Sequence, residues 1–223
     1  MYQNIPTKVL TGEVRLSYVN LITPRPPLQG GEPRYSVTLL IPKSDAATKA
    51  DIDSSIEAAA TDALGKSWNG VRPPVLPIPI HDGDGVKENG MPFGPECKGC
   101  WVMTASTKTA PQVVHQSNIK VALLPVDIYS GMYARVTINF FGYNAAGRKG
   151  IGCGLGNVMK TRDGEALGGG ASAEVDFAGV GAPAGGYTAP AGGYTAPAAN
   201  SAPPAVDPLT GRPYAQAGAP VWR

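Results

Sequence analysis

The chain has 223 residues, rich in Gly (29) and Pro (22), and its 19 Lys/Arg and 17 Asp/Glu leave a formal net charge of only +2. No apolar run reaches the roughly 18 residues of a membrane span. Residues 1–6 lack the charged and apolar regions of a signal peptide, and 3 cysteines cannot all pair with one another; these features argue against a helical membrane span and a disulfide scaffold and lead us to expect a cytosolic chain with reduced thiols. The near-neutral total hides an uneven distribution. Residues 44–65 carry Asp45, Asp51, Asp53, Glu57 and Asp62 against Lys49. Residues 97–162 carry Lys98, Lys108, Lys120, Arg135, Arg148, Lys149, Lys160 and Arg162 against Asp127 alone. The first segment would repel a polyanion and the second would attract one; scattered solvated surface charge is the alternative.

Residues 9–19 alternate, with Leu10, Gly12, Val14 and Leu16 on one side and Thr11, Glu13, Arg15 and Ser17 on the other, which predicts a strand with one face in a core. A Pro/Gly loop follows at residues 24–31. Alternation resumes over residues 34–41, where Tyr35, Val37, Leu39 and Ile41 share a face. Ser44 then reads as the N-cap of a helix with Asp45 in its first turn. Ile52, Ile56, Ala59, Ala60, Ala63 and Leu64 form its packing stripe, and Gly65 reads as its stop. Residues 73–95 are Pro/Gly-rich, with little regular structure expected. Strands are predicted again at 99–106, 112–115, 131–143 and 150–161. Residues 168–223 are dominated by Ala, Gly and Pro and contain two heptads, 183–189 and 190–196, both PAGGYTA. This segment cannot bury enough apolar surface to offset its chain entropy, so a disordered tail is expected. That leaves residues 1–167 as one domain. Short strands around one helix predict a mainly β fold, a five-stranded OB-fold barrel.

The window at 133–143 carries the most chemistry. Ala134, Val136, Ile138 and Phe140 make a core face. Tyr133, Arg135, Thr137, Asn139, Phe141 and Tyr143 make the other, with three rings interleaved with a cation. Such a face suits single-stranded nucleic acid, whose bases stack on rings while Arg meets phosphate; a helix or loop covering the rings as core is the alternative. Next, Gly150, Gly152, Gly154 and Gly156 leave one strand face as bare backbone, open to a neighbouring ring or to a ligand. No Gly-Lys-Ser/Thr follows, so this is not a phosphate loop. Cys97 and Cys100 have zinc-ligand spacing, but only His81, His115 and Cys153 could complete a site; reduced, partly buried thiols are expected, and no metal. Asp82-Gly83-Asp84-Gly85 reads as a turn, since Val86 stands where a calcium loop needs oxygen. No nucleophile with a base and no carboxylate pair is recognisable, so no catalysis and no cofactor are expected.

The run YSGMYARVTINFFGY at 129–143, Lys149-Gly150 and GLGNV at 154–158 resemble the bacteriophage single-stranded DNA-binding proteins with an OB-fold. VRLSYV at 14–19, LPIPIHDGD at 76–84 and RDGE at 162–165 are similar to that family as well. The resemblance spans about residues 8–165. It implies a non-catalytic barrel that binds and protects single-stranded DNA, with little sequence preference, during phage replication or recombination in the cytoplasm of the infected host cell. On this reading Arg15, Lys108, Arg135, Arg148, Lys149, Lys160 and Arg162 meet phosphates, and Trp101, Tyr133, Phe141 and Tyr143 stack bases. Many relatives end in an acidic run closed by an aromatic that docks replication or recombination proteins. Here Trp222 is kept and the acidic run is absent, which puts such docking by the tail in doubt. A barrel with an Ala/Gly/Pro tail also fits a phage structural or assembly module that binds no nucleic acid.

Overall fold

The computed structural model describes residues 2–26, 31–87, 89–145 and 147–167. The heptads and the rest of 168–223 lie outside them, and so does the expectation of a disordered tail.

The strand expected at 9–19 is two strands. β1 (Lys8–Leu10) stops where Thr11 turns its hydroxyl to accept from Val136 N–H at 3.0 Å. Gly12 N–H then donates to Thr48 Oγ1 at 2.8 Å, and β2 (Val14–Arg25) begins. The break shifts the phase by one, so Val9 rather than Leu10 is buried. β2 bulges once more: its pairing with β3 (Arg34–Pro42) slips between Ser17 and Asn20. Tyr18 sits at the slip with φ 47°, and its side chain is thrown outward, 70 % exposed. In β3, Val37, Leu39 and Ile41 point inward, as the alternation predicts.

Helix α1 (Ala46–Lys66) is capped by Asp45, not Ser44: the Asp45 carboxylate accepts from Thr48 N–H at 3.0 Å, while Ser44 belongs to the preceding turn. It also runs past Gly65. The C-cap is Ser67, whose N–H donates to Ala63 O at 2.9 Å, and the turn beyond it passes through Asn69 and Gly70, both at positive φ, where Gly70 N–H donates to Leu64 O at 2.7 Å. The packing stripe is as expected, with Ile52, Ile56, Ala59, Ala60 and Ala63 buried. Beyond it, Trp68 is fully buried and donates from Nε1 to Tyr143 O at 2.9 Å.

The remaining strands are β4 (Ile80–Asp82), β5 (Cys100–Thr107), β6 (Val113–His115), β7 (Asn118–Ala122), β8 (Tyr133–Ala145) and β9 (Arg148–Arg162). β4 lies within the stretch expected to be irregular, and β7 was not expected. The Asp82–Gly85 stretch is a turn, held by Lys43, whose ammonium lies 2.6 Å from Asp82 and 2.7 Å from Asp84.

Five strands close a ring in the order β8-β2-β3-β5-β9 and back to β8. All contacts are antiparallel except β5–β9, which is parallel and rests on the single pair Ser106 and Gly154. This is the five-stranded OB-type barrel with one helix. β1 adds to the edge of β8, β6 runs parallel to β9, and β7 pairs with β6. Leu16, Leu39, Met103, Val136, Ile138 and Phe140 fill the interior, and α1 packs on β8 and β1. Each such side chain contributes about 1.5–3 kcal/mol by leaving water. A second small cluster lies on the outer side of β3 and β5: Leu40, Cys97 and Val102, with Phe93 and Leu167 against it. No helix among the described residues is long and apolar enough to cross a membrane.

Candidate nucleic-acid interface

The outward face of β8 does carry the rings, and the register decides what they touch. Phe141 pairs with Gly152 and Tyr143 with Gly150. A Cβ on Gly152 would lie 2.6 Å from Phe141 Cζ, and one on Gly150 would lie 2.5 Å from the Tyr143 hydroxyl. The bare backbone of β9 therefore receives neighbouring rings from its own sheet. Phe141 keeps its other side open, at 45 % exposure, whereas Tyr143 is half-buried. Tyr133 is stacked by guanidinium groups, with Arg162 at 3.4 Å and Arg15 at 5.9 Å from the ring centroid.

Most of the expected phosphate cations are held within the fold. Arg15 donates to Glu165 O at 2.7 Å, and Arg135 to Thr11 O at 3.0 Å. Lys149 donates to the carbonyls of Trp68 and Val71 at 2.8 and 3.0 Å, tying down the turn after α1. Lys160 is buried; its ammonium donates to Asp127 O at 2.9 Å and lies 2.7 Å from Asp163. Arg162 forks onto Glu13 at 2.9 and 3.0 Å. The hydrogen bonds from Arg162 hold the Glu13 carboxyl below its usual range. Lys108 is exposed but paired with Glu32. Arg148, at the tip of the β8–β9 hairpin, is exposed and makes no hydrogen bond or ion pair with a described residue. Trp101 packs on the barrel core, half-buried under Lys49 and Lys43 at 4.7 and 5.2 Å from its centroid.

The structure adds a region that the sequence pattern did not signal. Outside β3 and β5, a cleft of about 210 Å³ has Leu40 and Val102 in its floor and Tyr18, Phe93 and Lys87 on its walls. Thr38 and Thr104 face each other across the two strands with hydroxyls 3.0 Å apart. Lys87 lies 5.6 Å from the Phe93 centroid, and the His81 ring sits tilted at 34° to the same ring, 6.4 Å away. Glu96 on the wall accepts rather than donates, which suits a base amine and opposes a phosphate. Alternation would have put Tyr18 on the Leu16 side, in the core; the bulge reverses it. Phe93 lies in an irregular stretch, where no period marks a face.

Cys153 lies apart from the other two cysteines. Cys97 belongs to the outer cluster and Cys100 is half-buried beside it. Cys153 points into the barrel, where burial pushes its thiol up to about 12. No group of three metal-ligating side chains occurs among the described residues.

The family model described as the single-stranded DNA-binding protein of Enterobacter phage Enc34 matches residues 7–185. Among solved structures, the Enc34 protein in complex with single-stranded DNA is 31 % identical, with 73 % of this chain and 90 % of that chain covered and a TM-score of 0.62. The single-stranded DNA-binding protein of bacteriophage T7, at 17 % identity, 76 % and 93 % coverage and a TM-score of 0.50, shares the fold. Protein p50 of Acyrthosiphon pisum secondary endosymbiont phage 1 is 28 % identical over 178 residues, 76 % of this chain and 91 % of that protein.

Proposed function

The chain belongs to the Enc34 family of phage single-stranded DNA-binding proteins, and from that premise we propose that it binds and covers single-stranded DNA during phage replication. The observation that carries this is the match over most of the chain to a barrel solved with single-stranded DNA. The chain is a binder rather than a catalyst. Low sequence preference, a part in recombination and action in the host cytoplasm belong to the same proposal.

We assign the DNA path to the outer side of the barrel. It starts at Tyr18, Phe93 and Lys87 and crosses Thr38, Thr104 and Ser106. It passes over bare Gly154 to Phe141 and ends at Arg148. Register supports this continuity, since Ser106 pairs with Gly154 and Phe141 lies over Gly152. Four residues of strand, about 13 Å, separate Phe141 from the level of Arg148. Bases stacking on Tyr18 and Phe141 would contribute roughly 1–3 kcal/mol each. Lys108 lies near the end of β5 and could exchange Glu32 for phosphate. Arg15, Trp101, Tyr133, Arg135, Tyr143, Lys149, Lys160 and Arg162 then shape the barrel beneath the path. Residues 168–223 are assigned to contacts with replication or recombination proteins through Trp222 and the repeat tyrosines Tyr187 and Tyr194, in place of the absent acidic run.

Titration of fluorescent oligo-dT at two salt concentrations tests this reading. Log affinity is expected to fall linearly with log salt, by roughly 0.7 per phosphate contact. Absent or salt-independent binding overturns it. A chain ending at Leu167 is expected to melt like the full chain and to bind single strands at least as well. A strong loss of affinity would bring the removed residues into the DNA site.

A further inference from the structure

Glu13, Glu32 and Glu57 are each paired with a cation. Glu96 is half-buried and makes no ion pair with a described residue. Its carboxylate meets only the thiol of its neighbour, with Cys97 Sγ 3.8 Å from Oε1. A carboxylate drawn partly out of water without strong donors is costly, so the position calls for a donor from outside. The fold fixes where that donor must come from. Pro95–Cys97 is one tight helical turn, anchored by Cys97 in the outer cluster. Gly83 packs against Cys97 O with no room for a Cβ. Beyond the turn, Gly99 N–H donates to Asp84 at 3.0 Å, and Lys43 N–H donates to Gly99 O at 2.9 Å. Gly94 leaves the space that the carboxylate fills, since a Cβ there would collide with both of its oxygens. The acceptor is thus set in place before a ligand arrives, which spares the cost of ordering it.

Glu96 stands on the wall of the β3–β5 cleft with Tyr18, Phe93 and Lys87, above Leu40 and Val102. The Thr38 and Thr104 hydroxyls bond to each other, 3.0 Å apart. The cleft therefore offers a base two rings, one paired acceptor at Glu96 and one donor at Lys87. At about 210 Å³ it has room for a single base. The four bases meet this set differently. Thymine flanks its N3–H with two carbonyl oxygens, which a carboxylate repels. Cytosine and adenine each place one amine beside a ring nitrogen lone pair. Guanine alone places two donors side by side, N1–H and the N2 amine, which match the two oxygens of a carboxylate. Its O6 and N7 are the acceptors that lysine reads most often. We propose that the cleft seats a guanine, with N1–H and the N2 amine donating to Glu96 and the O6/N7 side turned to Lys87. The inference rests on the single-strand reading above and deepens it: one position on an otherwise indifferent path selects its base.

The test places one guanine at each position in turn of the shortest oligo-dT that the full chain binds. Affinity is expected to rise at one position, by roughly 5-fold or more. Adenine or cytosine at that position should not reproduce the gain. Deoxyinosine keeps N1–H, O6 and N7 but lacks the N2 amine, and is expected to lose much of it. Glu96→Gln keeps the side chain's shape but presents one acceptor oxygen in place of two, so it should bring the guanine-to-thymine affinity ratio close to one. Should that variant not fold, the deoxyinosine comparison decides on wild-type protein. The proposal is overturned by equal affinity at every position, by an equal gain with adenine or cytosine, or by a gain that deoxyinosine keeps in full or that survives Glu96→Gln. Failure of wild type to bind oligo-dT at all would instead refute the single-strand reading, and this proposal with it.

Discussion

Tyr18 holds a left-handed backbone, which a residue with a side chain adopts at a cost. The cost places an exposed ring beside the β3–β5 cleft. Tyr18→Gly should therefore keep or raise the melting temperature while lowering single-strand affinity by roughly 1–3 kcal/mol. Phe141→Ala should lower affinity similarly with little change in melting, since its outer side is open. Tyr143→Ala should act mainly on stability, because that ring covers Gly150. Paired melts and oligo-dT titrations distinguish the three; unchanged affinity in Tyr18→Gly removes the cleft from the path. Asp163 gives a second test. The Lys160 ammonium and then the Tyr129 hydroxyl hold its carboxyl below the ordinary value of 3.8. A lowered folded value means that its contribution is present above the unfolded value and is lost as pH falls through the folded one. Asp163→Asn should melt below wild type near neutral pH, and the gap should begin to narrow as pH falls below about 4. A constant gap across that range would show that the pair contributes no pH-linked stability.

The β8–β9 hairpin presents two adjacent cations with different tasks. Arg148 projects from its tip, while Lys149 is bound to carbonyls after α1. Arg148→Ala should flatten the salt dependence by about one contact, roughly 0.7 in slope, and leave melting unchanged. Lys149→Ala should lower the melting temperature and leave the slope alone. The reverse pattern in the two variants would refute the assignment. Adjacent basic residues read alike in sequence, and only the third dimension separates them. The α1 stripe and the inward faces of β3 and β8 were legible because burial on one side imposes a period. β7 was not, since it buries neither face and so has no period to read. The alternating glycines of β9 signalled close approach, but whether a ring or a ligand fills that space depended on the β8–β9 register. Tyr18 depended on a one-residue slip that no glycine or proline announces.

At the scale of the molecule, the positive segment at 97–162 proves less free than its charge count implies. Half of its eight cations, Arg135, Lys149, Lys160 and Arg162, are tied into the barrel, so electrostatic attraction to DNA rests on the exposed Lys98, Lys108, Lys120 and Arg148, and stacking carries more of the affinity. The barrel itself is held unevenly. β8 and β9 share a long ladder, while β5 and β9 meet at Ser106 and Gly154. That seam should breathe most readily, and the proposed DNA path crosses it. A ligand that binds only the closed form favours closure. Amide hydrogen exchange at residues 104–107 and 152–156 is accordingly expected to slow on adding oligo-dT, more than exchange along the β2–β3 ladder. Unchanged exchange at the seam would route the strand elsewhere. With slowing there, the bound strand acts as a hoop around the cask: the nucleic acid that the protein shields also keeps its protector shut.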